Sequence, residues 1–263
     1  MFLILGGGLK TWAQGSFFAS AEDFEVSNSI PSKPSVVTFN PFQLFQAVKP
    51  EINASLSSWE GLEQELVDKA ETAKDELQLL RQIFQKSHQR LFKKYQQHST
   101  FNEMLSKGNY DCVSGSAALG ILLDRFGFSY DIIETDYHVF ILAEVGGKKI
   151  VLESTLPVGG MITQSSEVEK YLESYTPNQK ESSKVFNQRL AGTEASQLDN
   201  SIFRKVNLQE LAGLQFYNDA IVHFNTQQYQ MAIEQLEKAY LLYPSERVLG
   251  LLELSKSLLA ESN

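Results

Sequence analysis

Cysteine is almost missing: Cys112 is the single one in 263 residues. No disulfide can form within these residues, and a multi-cysteine zinc site of the structural kind is excluded. Basic charge is also in short supply, with 23 Lys and Arg against 32 Asp and Glu, a formal net charge of −9. Phosphate backbones need a basic stripe, so nucleic acid is not an expected partner. Long hydrophobic runs are lacking as well. No stretch approaches the roughly 20 apolar residues of a membrane-spanning helix, so no integral membrane segment is expected. Proline is sparse but gathered, because four of the 7 lie between Pro31 and Pro50. With Pro34 and Pro41 between them, they mark residues 15–58 as an extended lead-in with at most a short helix.

The first residues, Met1 to Leu9, are short and apolar and end near Thr11-Trp12-Ala13-Gln14. That ending resembles a bacterial secretory cleavage site, although no Lys or Arg precedes the apolar run. Residues 1–14 therefore read as a signal segment whose start lies upstream, which would place the protein in the periplasm or cell envelope. The alternative is a buried strand in a cytoplasmic protein.

Helical spacing begins at Trp59, with Leu62, Leu66 and Ala70, and continues through Leu77, Leu80, Ile83, Phe84, Leu91 and Tyr95. It predicts a first helix and then a long amphipathic one ending near His98. A helix over Asp111–Phe126 follows, then strands at Tyr130–Glu134, Tyr137–Val145 and Lys148–Ser154. Gly146-Gly147 joins the last two as a two-residue hairpin turn. Residues 159–200 are polar and predict a decorated loop with a short helix, and the chain beyond Val206 is helical. The order of elements predicts an α+β domain over 59–200 and an all-α region over 201–263. The break belongs in 176–201, a stretch that also reads as an insertion within the core.

Cys112 follows the polar turn Gly108-Asn109-Tyr110-Asp111. Asp111 fits an N-cap and Gly127 a C′ position, so the cysteine falls in the first turn of a helix, where free N–H groups and the dipole favour a thiolate. If Gly146-Gly147 is a tight turn, Val145 faces Lys148, Phe140 faces Glu153, and His138 faces Thr155. His138 and Glu153 then share one sheet face as diagonal neighbours. Nucleophile, base and orienter are the roles these three types take in thiol catalysis. The Cys112 N–H would supply one oxyanion donor, and Gln97 and Asn109 are candidates for a second. Taken singly, a lone cysteine is more often a small buried hydrophobe and a strand histidine a core residue. Their order and shared face favour the triad. His88, His98 and His223 show no metal-ligand spacing, and no second cysteine or histidine supports a zinc site with Cys112, His138 and Glu153. No metal or cofactor is expected. Glu134 and Asp136, beside His138, could select a cationic substrate group, but they read better as exposed turn charges.

Cys112 opening a helix, Leu122-Leu123-Asp124-Arg125-Phe126-Gly127, Tyr137-His138-Val139-Phe140 and Val151-Leu152-Glu153-Ser154-Thr155 together resemble the transglutaminase-like superfamily. The likeness covers roughly residues 105–160. It implies a papain-like core with a Cys–His–acid triad in this chain order. Glu153 stands where that pattern has Asp, and Ser154 where it has Pro. The superfamily also holds members that bind without catalysis.

Residues 213–246 are similar to a tetratricopeptide repeat. Phe216, Ala220 and His223 fall at first-helix positions, and Ala232, Leu236, Ala239 and Pro244 at those of the second helix and closing turn. Ala220 replaces the usual Gly and His223 a usual Tyr. A third helix from Arg247 to about Ala260 would cap the pair. One repeat cannot bury its own apolar face, so these helices should dock on the triad domain or on a protein partner. The combination resembles the SirB1-type bacterial family. The expected function is thiol-dependent acyl transfer on a peptide or protein substrate, as hydrolase or transamidase. The alternative is a catalytically silent module that binds peptide or protein.

Overall fold

A computed structural model of the chain describes residues 40–52, 54–175 and 202–262. The signal reading of residues 1–14 and the break in 176–201 lie outside these residues. What is described is a mixed α and β protein with an antiparallel sheet and a C-terminal helical region.

The lead-in does carry a short helix, α1 (Pro41–Gln46), capped by the Asn40 side chain. Helix α2 (Ser57–Thr72) buries Trp59, Leu62 and Leu66 on one stripe. Helix α3 (Glu76–Arg90) is capped by Asp75 and buries Leu79, Leu80, Ile83 and Phe84. It stops at Arg90 and does not run on to His98 as the spacing of Leu91 and Tyr95 predicts. The N–H groups of Leu91 and Phe92 both turn back to the Ser87 carbonyl, and those of Lys93 and Lys94 bond the Gly108 carbonyl instead. Tyr95 therefore lies in a two-residue strand, β1 (Lys94–Tyr95), parallel to β2 (Asn109–Tyr110). Gly108 makes this possible: its φ is +74°, and a Cβ there would lie 2.3 Å from Lys93 Cγ. Between the two strands runs α4 (Phe101–Lys107), a helix unanticipated from periodicity but opened by a reciprocal Thr100–Glu103 capping box.

Helix α5 (Cys112–Arg125) starts at Asp111 as expected and is followed by Gly127 at φ +72°. Strands β3 (Ser129–Thr135), β4 (Val139–Val145) and β5 (Lys148–Leu152) form a meander with the anticipated register, Val145 opposite Lys148 and Ile141 opposite Leu152. Gly146 and Gly147 both adopt positive φ at the turn, as a primed two-residue hairpin turn requires. Strand β4 begins one residue after His138, and β5 ends one residue before Glu153. Strand β6 (Met161–Ile162) flanks β5, and β7 (Phe203–Val206) flanks β3, giving the order β6-β5-β4-β3-β7. The residues just after position 201 thus complete the sheet before the last helices begin.

The strands alternate between two apolar layers. Ile132, Val139, Ile141, Ala143, Ile150 and Leu152 join the large core with α5, while Ile133, Phe140, Leu142 and Val151 pack with Val168 and Tyr175 around α6 (Ser165–Glu173). The C-terminal helices α7 (Leu208–Asn225), α8 (Tyr229–Leu242) and α9 (Glu246–Ser262) belong to the large core too. They are docked on the α+β part: Leu208 of α7 sits against Gly120 of α5, and Gln235 of α8 donates to the Val48 carbonyl at 3.2 Å. Glu134 is not an exposed turn charge. It is buried and bound by Arg204, Tyr243 and Arg247. Nor is Asp136 free, since its carboxylate accepts from the Ile202 N–H. Among the described residues no helix is long and apolar enough to cross a membrane.

Candidate active site

The site forms at the end of the sheet where the two layers meet. Cys112 arrives from α5 on one side. Asp111 Oδ1 accepts from Ser114 N at 2.8 Å and Ser114 Oγ at 2.9 Å, and Ser114 Oγ accepts from Asp111 N at 2.9 Å. This reciprocal cap, which engages the N–H groups of Val113 and Ser114, fixes the helix start at the sulfur-bearing residue. Two contacts one turn further on seat that start against the sheet. Ser116 Oγ donates to the Val139 carbonyl at 3.3 Å, and a Cβ on Gly115 would lie 2.7 Å from Ser154 Oγ. Cys112 itself is half-buried. Asp111 is fully enclosed, and burial pushes its carboxyl up to about 6 against the pull of the Ser114 and Val113 hydrogen bonds.

His138 comes from the turn between β3 and β4. Its carbonyl accepts from Thr135 N at 2.8 Å and Thr135 Oγ1 at 3.1 Å, which anchors the backbone of the imidazole. Its Nε2 meets Glu153 Oε2 at 2.5 Å. The Cys112 side chain faces the same ring closely enough to favour its charged form. With Nε2 on the carboxylate, the nitrogen left for sulfur is Nδ1. His138 and Glu153 meet as their spacing predicts, and the packing of α5 brings Cys112 to the same imidazole.

Glu153 has both oxygens engaged. Oε1 accepts from Thr155 N at 2.8 Å and Thr155 Oγ1 at 2.6 Å, and Oε2 takes the Tyr171 hydroxyl at 2.6 Å besides His138. Burial resists charge on both partners of the His138–Glu153 pair. On Glu153 it is outweighed by the imidazolium, its hydrogen bond and the two hydroxyls, and the carboxyl falls to about 2. On His138 it is outweighed by the Glu153 charge and by bonds to Cys112 and Glu153, which raise the imidazole well above its ordinary range. The pair is held as imidazolium and carboxylate.

Tyr171 and Tyr175 are site residues that the sequence reading missed. They sit four apart at the end of α6, so both project to one side. The Tyr175 ring stacks near His138 at 6.0 Å between centroids and 17° between planes, and its hydroxyl donates to that of Tyr171 at 3.4 Å. Their i, i+4 spacing was visible in the sequence, but nothing local tied it to His138.

The two candidate oxyanion donors fare differently. Asn109 stands at the start of β2 with its amide donating to Gln96 Oε1 at 3.2 Å. Gln97 lies in the exposed turn after β1. Of the other histidines, His88 packs between Phe84 and Phe92, and burial pushes it down to about 4 with the Glu153 charge opposing. Among the described residues no group of three or more His, Cys, Asp or Glu is arranged to hold a metal ion. Comparison with protein-family models, curated proteins and solved structures finds nothing that matches the chain.

Proposed function

We propose that this protein is a thiol-dependent acyl-transfer enzyme acting on peptide or amide bonds, as a hydrolase or a transamidase. The observation that carries this reading is the continuous chain from the half-buried Cys112 through His138 to a carboxylate with every lone-pair direction engaged. The Cys112 sulfur, as a thiolate paired with the His138 imidazolium, attacks the substrate carbonyl carbon. A C–S bond forms and the carbonyl oxygen becomes an oxyanion. Collapse breaks the C–N bond, and the leaving amine takes the proton from His138. Water or a second amine then attacks the thioester, gives a proton to His138, and releases the acyl group. The sulfur leaves as a thiolate beside the reprotonated imidazole, which restores the starting pair. Glu153 keeps the ring oriented and compensates the imidazolium throughout.

The transglutaminase-like resemblance is part of the same proposal. It is supported by a helix opening on cysteine, packed against an antiparallel sheet that carries His and the acid just beyond the adjoining ends of successive strands. The tetratricopeptide-like reading of α7 and α8 rests on close helix approach. Ala220, Ala232 and Ala239 are fully buried, and a Cβ on Gly213 would lie 2.5 Å from Tyr243 Cβ.

Alkylation of Cys112 by iodoacetamide across pH tests the proposal. Cys112 is expected to react near neutral pH much faster than an ordinary free thiol, and His138→Ala abolishes that activation. Ordinary thiol behaviour, indifferent to the His138 substitution, would leave a peptide- or protein-binding module in place of an enzyme.

A further inference from the structure

We propose that the Tyr95 hydroxyl, and not Gln97 or Asn109, is the side-chain oxyanion donor that works with the Cys112 N–H. This deepens the proposed acyl-transfer reading and rests on Cys112 being acylated.

Strand β1 runs parallel to β2 with Tyr95 opposite Tyr110, two residues before the cysteine, and Gln96 N donates to the Tyr110 carbonyl at 2.8 Å. Tyr95 therefore lines the segment that leads directly into the nucleophile. Its ring stands edge-on to Tyr110 at 6.0 Å and 89°, and Tyr110 is in turn stacked on Phe92 at 4.9 Å. This aromatic backing braces the ring while leaving the residue 36% exposed.

Three other side-chain donors of the site are already spent, and Ser154 Oγ, though unpartnered, is fully buried against Gly115. The Tyr171 hydroxyl is given to Glu153 and that of Tyr175 to Tyr171. The Asn109 amide is given to Gln96. Tyr95 makes no hydrogen bond through its hydroxyl among the described residues. Burial first, then the negative charges of Cys112, Asp111 and Glu153, keep that phenol protonated far above neutral pH. It is thus a donor at working pH, in the electrostatic field of the sulfur, with no protein acceptor of its own. A transient oxyanion supplies one.

Two reagents separate this role from any effect on the thiol. Iodoacetamide alkylates sulfur by direct displacement and develops no oxyanion, whereas acylation by p-nitrophenyl acetate passes through a tetrahedral one. Tyr95→Phe keeps the ring contacts with Tyr110 and removes a single oxygen atom. The expected result is acylation slowed about 10²-fold, with alkylation within about two-fold of wild type. Equal acylation rates in wild type and Tyr95→Phe would overturn the inference while leaving the triad standing, as would a loss found with Gln97→Ala instead. A parallel slowing of both reactions would also overturn it, since Tyr95 would then act on the thiolate. Failure of the wild-type protein to acylate at Cys112, with Cys112→Ser giving the same trace, would remove the acyl-transfer reading and this inference together.

Discussion

At the residue scale, the ion pair of His138 and Glu153 makes stability and reactivity depend on pH in opposite senses for its two members. Glu153 is lowered to about 2 in the folded chain. Its contribution is present above the ordinary carboxyl range near 4.5 and is lost as pH falls toward 2. His138 is raised, so its contribution is full below about 6.5 and is lost as pH climbs through the folded value. Asp111, raised to about 6, works against Glu153 on the acid side, because its charging costs folding free energy between its ordinary range and 6. The informative quantity is therefore a difference. Melting temperature against pH for wild type minus Glu153→Gln should be greatest between about pH 4.5 and 6.5 and shrink on both sides. A difference flat from pH 3 to 9 would mean that the pair is not ionised. The meeting of His138 and Glu153 was legible because hairpin register is an arithmetic property of sequence and the glycine turn fixes it. The approach of Cys112 was not, because it depends on how α5 packs. Nor were Tyr171 and Tyr175, since they reach the imidazole from a separate helix across the sheet face. No local pattern encodes either docking.

Elements matter here chiefly through how closely they approach. Helix α5 delivers the sulfur only because Gly115 lets its first turn rest on Ser154, where a Cβ would lie 2.7 Å from Oγ and 2.8 Å from Cβ. Both distances are too short for real contacts, so Gly115→Ala must lift the helix or push the end of β5 aside. Overpacking of this kind costs about 1–3 kcal/mol, offset by up to about 1 kcal/mol of better helix propensity. We expect modest loss of stability by urea denaturation and a much larger loss in the rate of Cys112 alkylation, because the displacement is directed at the sulfur. Ser154→Gly in the same chain should restore much of the rate, and failure of that rescue would show that the contact does not set the helix position. Element boundaries were read well where capping chemistry was strong, as at Asp111 and Gly127. They were misread where tertiary pairing overrode periodicity, as at Leu91 to Tyr95, whose helical spacing gives way to a short ladder with β2. The Thr100–Glu103 box, by contrast, was a readable signal for α4 that apolar periodicity alone does not reveal.

On the scale of the whole molecule, one buried carboxylate joins the C-terminal helices to the strand that precedes His138. Glu134 is 1% exposed. It takes Arg204 Nε at 2.9 Å from β7, the Tyr243 hydroxyl at 2.8 Å from the end of α8, and the Arg247 guanidinium from α9. Arg204 and Arg247 also lie over the Tyr243 ring, at 4.5 and 5.3 Å. The residue next along is Thr135, whose N–H and hydroxyl both hold the His138 carbonyl. A shift of α9 at Glu134 is thus one residue of backbone away from the turn that carries His138. Removing one partner of a buried pair is costly because the other stays desolvated, so Arg247→Met should lose about 3 kcal/mol. Amide exchange should rise across both α9 and residues 135–138. Glu134→Gln weakens the same interaction from the sheet side. The two substitutions combined should therefore lose at least about 0.5 kcal/mol less than the sum of their separate losses. Simple additivity would mean that the helices and the histidine turn are stabilised independently, and that the C-terminal region serves the site only as a neighbour.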